Sequence, residues 1–294
     1  MAAKGFSYHR PTSLGEALAL LADLGPGAVP VAGATDVWVN LRAGKLAPEA
    51  LVSLRNVPEL SGLRKTEHGL VLGACVTHAE VEDDLWVAEH FPALHQACSG
   101  VGSRQVRNVA TVGGNLCNAA PSADSAVGLL LYDAECRIET GTGHRDVPLT
   151  EFFAGPNRTV LGPGEVLAEI RLPLPAGRTF AGYRKITRRK AVELPMIGIG
   201  ARVTLGTDGR VAEARIALGV AGPTPLRVRK AEERLEGEPL TREAAAEAAE
   251  IAAQEAKVRD SWRGEAWYRR EMIRVWIPRI LDEAGAWEGR EGEL

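Results

Sequence analysis

The chain has 294 residues, 45% of them hydrophobic and 25% charged, with a formal net charge of −3. That length admits two domains and a substantial core, and that charge gives no reason to expect a nucleic acid or a membrane surface as partner. Aromatic residues are only 5% and do not alternate with basic ones, as a single-strand binder requires. No apolar run reaches the roughly 18 residues of a membrane span. The N-terminus has no apolar stretch behind a basic start, so a cytoplasmic chain is expected.

In chain order, Ser13-Leu-Gly-Glu16 reads as a capping box opening the helix EALALLADL, which Gly25-Pro26-Gly27 stops. Ala28 to Val31 reads as a strand and Ala32 to Asp36 as a small-residue turn. Val37 to Arg42 then begins a helix capped by Thr35 or Asp36. Leu51–Leu54 and Gly69–Val76 are β-type runs. Thr77-His-Ala-Glu80 is a second capping box, opening a helix over VEDDLWVAEHFPAL whose early acids suit the helix dipole. His78 is read as a polar surface or cap-region residue and not a ligand, since no second ligand lies at helical spacing.

A β-type run, Asn108 to Val112, meets Gly113-Gly114, then Asn115, Pro121 and a lone acid, Asp124. AVGLLLYDAECRIE should hold a helix and then a strand, and Leu167 to Leu172 another strand. Pro173-Leu-Pro175-Ala-Gly177 is the clearest punctuation and is placed as the domain boundary. Beyond it, Phe180–Ile186, Met196–Leu205 and Val211–Val220 read as strands, with a turn at Thr207-Asp-Gly209. Thr241 caps an alanine-rich helix, and a last helix from about 265 to 283 contains Pro278.

Two small-residue loops could hold chemistry. Ala32–Asp36 and Thr111–Asn115 each follow a β-type run, and two bare loops can bracket a pyrophosphate with amide N–H groups. Two ordinary turns have the same composition, and G-G alone is a common turn dipeptide. Neither loop is G-x-G-x-x-G or a Walker sequence. The basic cluster Arg184, Lys185, Arg188, Arg189, Lys190 reads either as a phosphate or redox-partner face or as a solvated strand end. Cys75, Cys98, Cys117 and Cys136 contain no C-x-x-C pair, which suits reduced, mostly buried thiols better than a metal site. No Ser-His-Asp or Cys-His arrangement and no apolar-embedded carboxylate pair stands out. The chain offers places to hold a cofactor and few groups to break bonds, which suits a cofactor that carries the reaction.

Taken together, VAGATDVWVNLRAG, LVSLRNVPELSGL, GLVLGACVTHAEVE, RNVATVGGNLCNAAPSADSAVGLL, YRKITRRKAVELPMIGIGARVTL and SWRGEAWYRREMIRVWIPRIL resemble the FAD-binding medium subunit of molybdenum hydroxylases, of the carbon monoxide and xanthine dehydrogenase type. The resemblance runs from about residue 5 to about 283. TVGGN with the downstream P-S-A-D is its most specific part. It implies an α+β protein with an FAD-binding domain over 1–174, of the vanillyl-alcohol oxidase (PCMH) type. That domain's two subdomains would cover about 1–55 and 56–174. A C-terminal domain over 175–286, a three-stranded antiparallel sheet with helices, would follow, then a tail over 287–294.

By position the resemblance makes Ala32, Gly33, Ala34, Thr35 and Asp36, and Thr111, Val112, Gly113, Gly114 and Asn115, the two FAD pyrophosphate loops. It puts Asp124 at the ribose or adenine side, and Leu167 and Lys185 near the flavin or adenine. Val101 falls where some relatives place an aromatic residue. Ala34 replaces the second glycine of the usual A-G-G, and Glu193 is the nearest acid after the Arg188-Arg189 pair, where relatives often have Asp. The extra cysteine-bearing loop of one family branch is not evident, so no iron–sulfur cluster is expected here.

The implied role is electron transfer. Electrons from a 2Fe–2S small subunit, released at a molybdenum-cofactor large subunit, pass through FAD to NAD⁺, a quinone or another acceptor, in a dimer of heterotrimers. The rivals are a stand-alone flavin reductase on the same fold, such as an enolpyruvoylglucosamine reductase, and an assembly subunit that has lost FAD.

Overall fold

Three blocks of chain, each with its own sheet, follow one another in the computed structural model, which describes residues 5–287. The first block runs β1 (Ser7–His9), α1 (Leu14–Leu24), β2 (Ala28–Val31), α2 (Thr35–Arg42), β3 (Ala50–Ser53). Its strands are parallel in the order β1-β3-β2. The Ser13 hydroxyl accepts the Glu16 N–H at 3.2 Å, while the Glu16 carboxylate takes the Thr12 amide at 2.7 Å, so the expected helix start is held on both sides. Ala17, Leu18 and Leu21 then lay the apolar face of α1 on Val52 and Leu54.

The second block contains β4 (Leu63–Thr66) and β5 (Gly69–Gly73), then six short helices: α3 (His78–Asp83), α4 (Leu85–His90), α5 (Pro92–Ser99), α6 (Arg104–Arg107), α7 (Val112–Asn118) and α8 (Asp124–Leu130). It closes with β6 (Glu135–Thr140), β7 (Gly143–Pro148), α9 (Leu149–Phe152), a small hairpin β8 (Phe153–Gly155) and β9 (Arg158–Thr159), and β10 (Val166–Pro173). The sheet order is β4-β5-β10-β6-β7, antiparallel throughout. Leu94, Ala97, Val127, Leu130 and Leu131 of the helical layer share one buried core with Leu70, Leu72, Ile138 and Ile170 of the sheet.

Two sequence expectations fail here. The single helix after Thr77 is three helices, because the Asp84 carboxylate takes the Trp86 and Val87 amides at 2.9 and 3.1 Å and starts a new one. Pro92, which has no N–H, then opens the third. Nor is Asn108–Val112 a strand. Thr111 forms one isolated bridge to Thr77 and then caps α7, so Gly113 and Gly114 lie in the first turn of a helix.

The third block is β11 (Arg178–Ile186), β12 (Ile197–Leu205), β13 (Val211–Gly219), β14 (Leu226–Arg227), α10 (Arg229–Leu235), α11 (Arg242–Glu255) and α12 (Ala266–Glu283). Its antiparallel sheet has four strands, correcting the three expected. The fourth has only two residues, paired to Ala217 and Leu218, too short for alternation to reveal. It is held there by Arg227, whose guanidinium binds Glu232 at 2.6 Å and also reaches Asp133 of the second block. Asp133 takes Arg215 as well, at 2.8 Å, so one carboxylate ties two strands of the third block to the second. On α11, Ala244, Ala245, Ala248, Ala249, Ala252 and Ala253 are all buried, a stripe of small residues that lets α10 and α12 pack close. α12 continues through Pro278. Apart from Trp287, the tail expected over 287–294 lies outside the described residues. No helix among the described residues is long and apolar enough to cross a membrane.

Candidate functional site

A cleft of about 620 Å³ opens where the three blocks meet. Its first wall is the loop between β2 and α2. Ala32, Gly33, Ala34, Thr35 and Asp36 all line it. Gly33 is required by packing: a Cβ there would lie 1.9 Å from the Val109 carbonyl oxygen and 2.9 Å from the Ala110 Cα. Its bare Cα therefore seats this loop directly on the backbone that leads into the second. Ala34 adopts the left-handed conformation, φ 56 and ψ 10, and caps α2 without any side-chain hydrogen bond. Neither Thr35 nor Asp36 caps the helix, as the sequence suggested; both lie inside it. The first helical bond is Trp38 N–H to the Ala34 carbonyl at 2.8 Å. Among the described residues the preceding turn thus leaves its amides without protein acceptors, the arrangement that draws an anion to a helix start. Burial raises the Asp36 acid above its ordinary value.

Left-handed alanine costs roughly 1–2 kcal/mol relative to glycine. Ala34→Gly is therefore expected to stabilise the chain by about 1 kcal/mol after the added freedom of the unfolded chain is discounted. An unchanged or lowered thermal midpoint would contradict that.

The second wall behaves differently from expectation. Its amides are already used: Val112 N–H donates to Val76 O at 2.9 Å, Gly113 N–H to Ala74 O at 3.1 Å, and Gly114 N–H to the Thr111 hydroxyl at 3.0 Å. Gly113 is bare because a Cβ would stand 2.5 Å from the Ala74 carbonyl, so it serves packing. Thr111, Gly114 and Asn115 line the cleft, whereas Val112 and Gly113 are buried behind it. Asn115 Oδ1 accepts the Ser125 hydroxyl at 2.7 Å.

The third wall is charged. Asp124, 5% exposed, opens α8. Its Oδ1 accepts the Tyr183 hydroxyl at 2.5 Å and its Oδ2 the Lys185 ammonium at 2.8 Å, both from β11. Burial pushes the Asp124 acid up, against the opposing pull of Lys185 and the phenol. Lys185 also donates to the Gly100 carbonyl at 2.9 Å, and Arg107 to the Val101 carbonyl at 2.9 Å, so Val101 is fixed on the wall between two cations. Gly198 leaves room for the phenol, since a Cβ would come within 2.7 Å of the Tyr183 hydroxyl oxygen.

Leu167 does not reach the cleft; it is buried in β10 within the sheet core. Of the basic cluster only Lys185 lines the cleft. Arg184 stacks over the Trp276 ring at 4.5 Å and pairs with Glu283, and Arg188 binds the Trp262 carbonyl. Sequence reasoning missed Leu161, the segment Val192–Leu194 and His78 as cleft residues. The first two lie in irregular chain with no motif. His78, read as a surface or cap-region residue, is fully buried, which corrects the surface reading. Of the thiols, Cys98 and Cys136 are buried, Cys75 is partly so and raised to about 11 by burial and then Glu80, and Cys117 is exposed.

Against known proteins, a family model described as the FAD binding domain in molybdopterin dehydrogenase matches residues 4–175. One described as the CO dehydrogenase flavoprotein C-terminal domain matches 181–284. The chain is similar to the xanthine dehydrogenase FAD-binding subunit of Escherichia coli O157:H7, 36% identical over 96% of this chain and 97% of that one. It is similar to the carbon monoxide dehydrogenase medium chain of Hydrogenophaga pseudoflava, 33% identical over 96% and 97%. In three dimensions it matches a carbon monoxide dehydrogenase structure from the same organism with a TM-score of 0.91, 32% identical, covering 97% of this chain and 99% of that one. Quinoline 2-oxidoreductase of Pseudomonas putida 86 matches at 0.88, 31% identical, over 97% and 99%.

Proposed function

The chain belongs to the FAD-binding subunits of the molybdopterin dehydrogenases, and from that premise we propose how its cleft serves the cofactor. FAD is its cofactor, and its role is electron transfer as one subunit of an oxidoreductase. The residues fit the dinucleotide on their own chemistry: an uncapped helix start for a pyrophosphate, neutral donors opposite it, and an ammonium held in place by a buried carboxylate. Bound there, FAD supplies the electron relay. Gly33, Ala34, Thr35 and Asp36 receive the pyrophosphate on the α2 amides. Thr111 and Asn115 face them with side-chain hydroxyl and amide across the bare Gly114, and Asp124 and Lys185 orient a polar group of the cofactor. Val101 supplies an aliphatic contact where an aromatic ring would stack.

The finer architecture we propose is a two-subdomain FAD-binding domain of the PCMH type over 1–174 and a second domain over 175–286. The relatives are named as medium chains, FAD-binding subunits or subunits of a dehydrogenase complex, so large and small partner subunits follow for this chain. We propose a molybdenum-cofactor large subunit and a 2Fe–2S small subunit, arranged as a dimer of heterotrimers, with NAD⁺, a quinone or another acceptor receiving the electrons. The observation that carries the site assignment is the seam at Gly33, which brings both small-residue loops onto one cleft. The full chain, purified and titrated with FAD, is expected to quench flavin fluorescence at one site per chain. A purified complex without flavin would sink the reading.

A further inference from the structure

Among the described residues, His78 is the one fully buried polar side chain of the cleft wall without a hydrogen-bond partner. It opens α3, and its own N–H donates to the Ala110 carbonyl at 3.0 Å. Its side chain is 0% exposed, and neither ring nitrogen has a hydrogen-bond partner. Buried polar groups in native proteins are nearly always paired, and one left alone costs free energy. The helix start at His78 is already served by the Thr77–Glu80 capping box, so the imidazole is not a cap.

Its position is informative. Ala110, to which it is tied, directly follows Val109, over whose carbonyl Gly33 packs, and Thr77 and Thr111 are bridged beside it. The ring therefore sits at the seam where the two loops meet. Burial, and then Arg107, lower its pKa to about 4, so it is neutral at pH 7 with one N–H donor and one lone pair.

We propose that His78 is a further binding residue of the dinucleotide, its neutral imidazole turning to donate one hydrogen bond to the pyrophosphate that bridges the two loops. The proposal rests on the FAD assignment and adds to it a side chain that neither loop contains. A neutral donor suits this place: it serves an anion without adding a buried positive charge beside Arg107.

A bound role and a purely structural one predict opposite signs for one substitution. In the full chain, His78→Leu removes an unpaired polar group. The cofactor-free protein should keep or raise its thermal midpoint, while Kd for FAD and for ADP weakens by about tenfold to a hundredfold, the range of a hydrogen bond to a charged group. His78→Gln, which keeps a donor, should recover most of that affinity, and remains the test if the leucine variant does not fold. ADP isolates the pyrophosphate from the flavin. Unchanged affinity for both ligands in His78→Leu would overturn the proposal, as would a loss for FAD with none for ADP. A lowered midpoint with intact affinity would make His78 a packing residue only. If the unaltered chain binds neither FAD nor ADP, the FAD assignment itself fails, which is a separate result.

Discussion

Gly33→Ala is expected to lower the thermal midpoint by roughly 6–12 °C and to weaken FAD binding by about tenfold to a hundredfold. The added methyl meets a carbonyl oxygen at 1.9 Å and two further backbone atoms within 3 Å, and none of these belongs to a side chain that can swing away. Overpacking of this kind costs about 3 kcal/mol at the upper end of the usual range, which in a chain of this size gives that shift. Relief comes only by moving the β2–α2 loop off Val109, and that motion carries the free amides of α2 away from the opposite wall. Losing one amide–phosphate bond accounts for the affinity change. Gly15→Ala is the control: it lies in α1 with nothing within 4 Å, and should stabilise by about 1 kcal/mol. Equal behaviour of the two variants would refute the seam.

Lys185→Met should be the most damaging single change on the charged wall. It strips the cation from Asp124, leaving a buried carboxylate with one phenol, and breaking such a pair costs about 3–5 kcal/mol. The loss depends on pH, and its sign follows from burial. The Asp124 acid is already raised, and without the ammonium it rises further. An acid whose folded pKa is raised contributes stability that is full below its unfolded value and is lost as pH rises through the folded one. The deficit of Lys185→Met against the unaltered chain should therefore shrink as the pH is lowered toward 4 and widen toward 8. Adding Asp124→Asn should restore most of the stability, because neither partner then carries charge, but none of the FAD affinity. Denaturant melts at two pH values with parallel FAD titrations decide it; a deficit independent of pH would show that an unpaired Asp124 carboxylate is not its cause.

What could be read from the chain alone followed local rules. The Ser13 and Thr77 caps, the strand into Ala32 and the long strands after Pro175 depend on neighbours in sequence, and all were legible. The second loop reads equally as a bare cradle or a plain turn, because a glycine pair shows only that two Cβ atoms are missing. Which neighbour needs the space is a tertiary fact, and here it is Ala74 for Gly113. Asn108–Val112 looked extended because its residues favour strands, but the Thr111 hydroxyl started a helix at once. Leu167 was placed near the cofactor by resemblance, yet the sheet turns it into the core. His78 could not be found by motif, since a histidine with no partner looks the same in sequence whether it faces water or a wall.

The tie between Asp124 and β11 bears on how this architecture can be divided. Asp124 and the two small-residue loops come from the stretch matched by one family model, while Tyr183 and Lys185 come from the stretch matched by the other. The two stretches are therefore not interchangeable cassettes. A chimera that grafts the second half of a distant relative onto this first half inherits a working cleft only if it delivers an ammonium and a phenol to the same two positions of its opening strand.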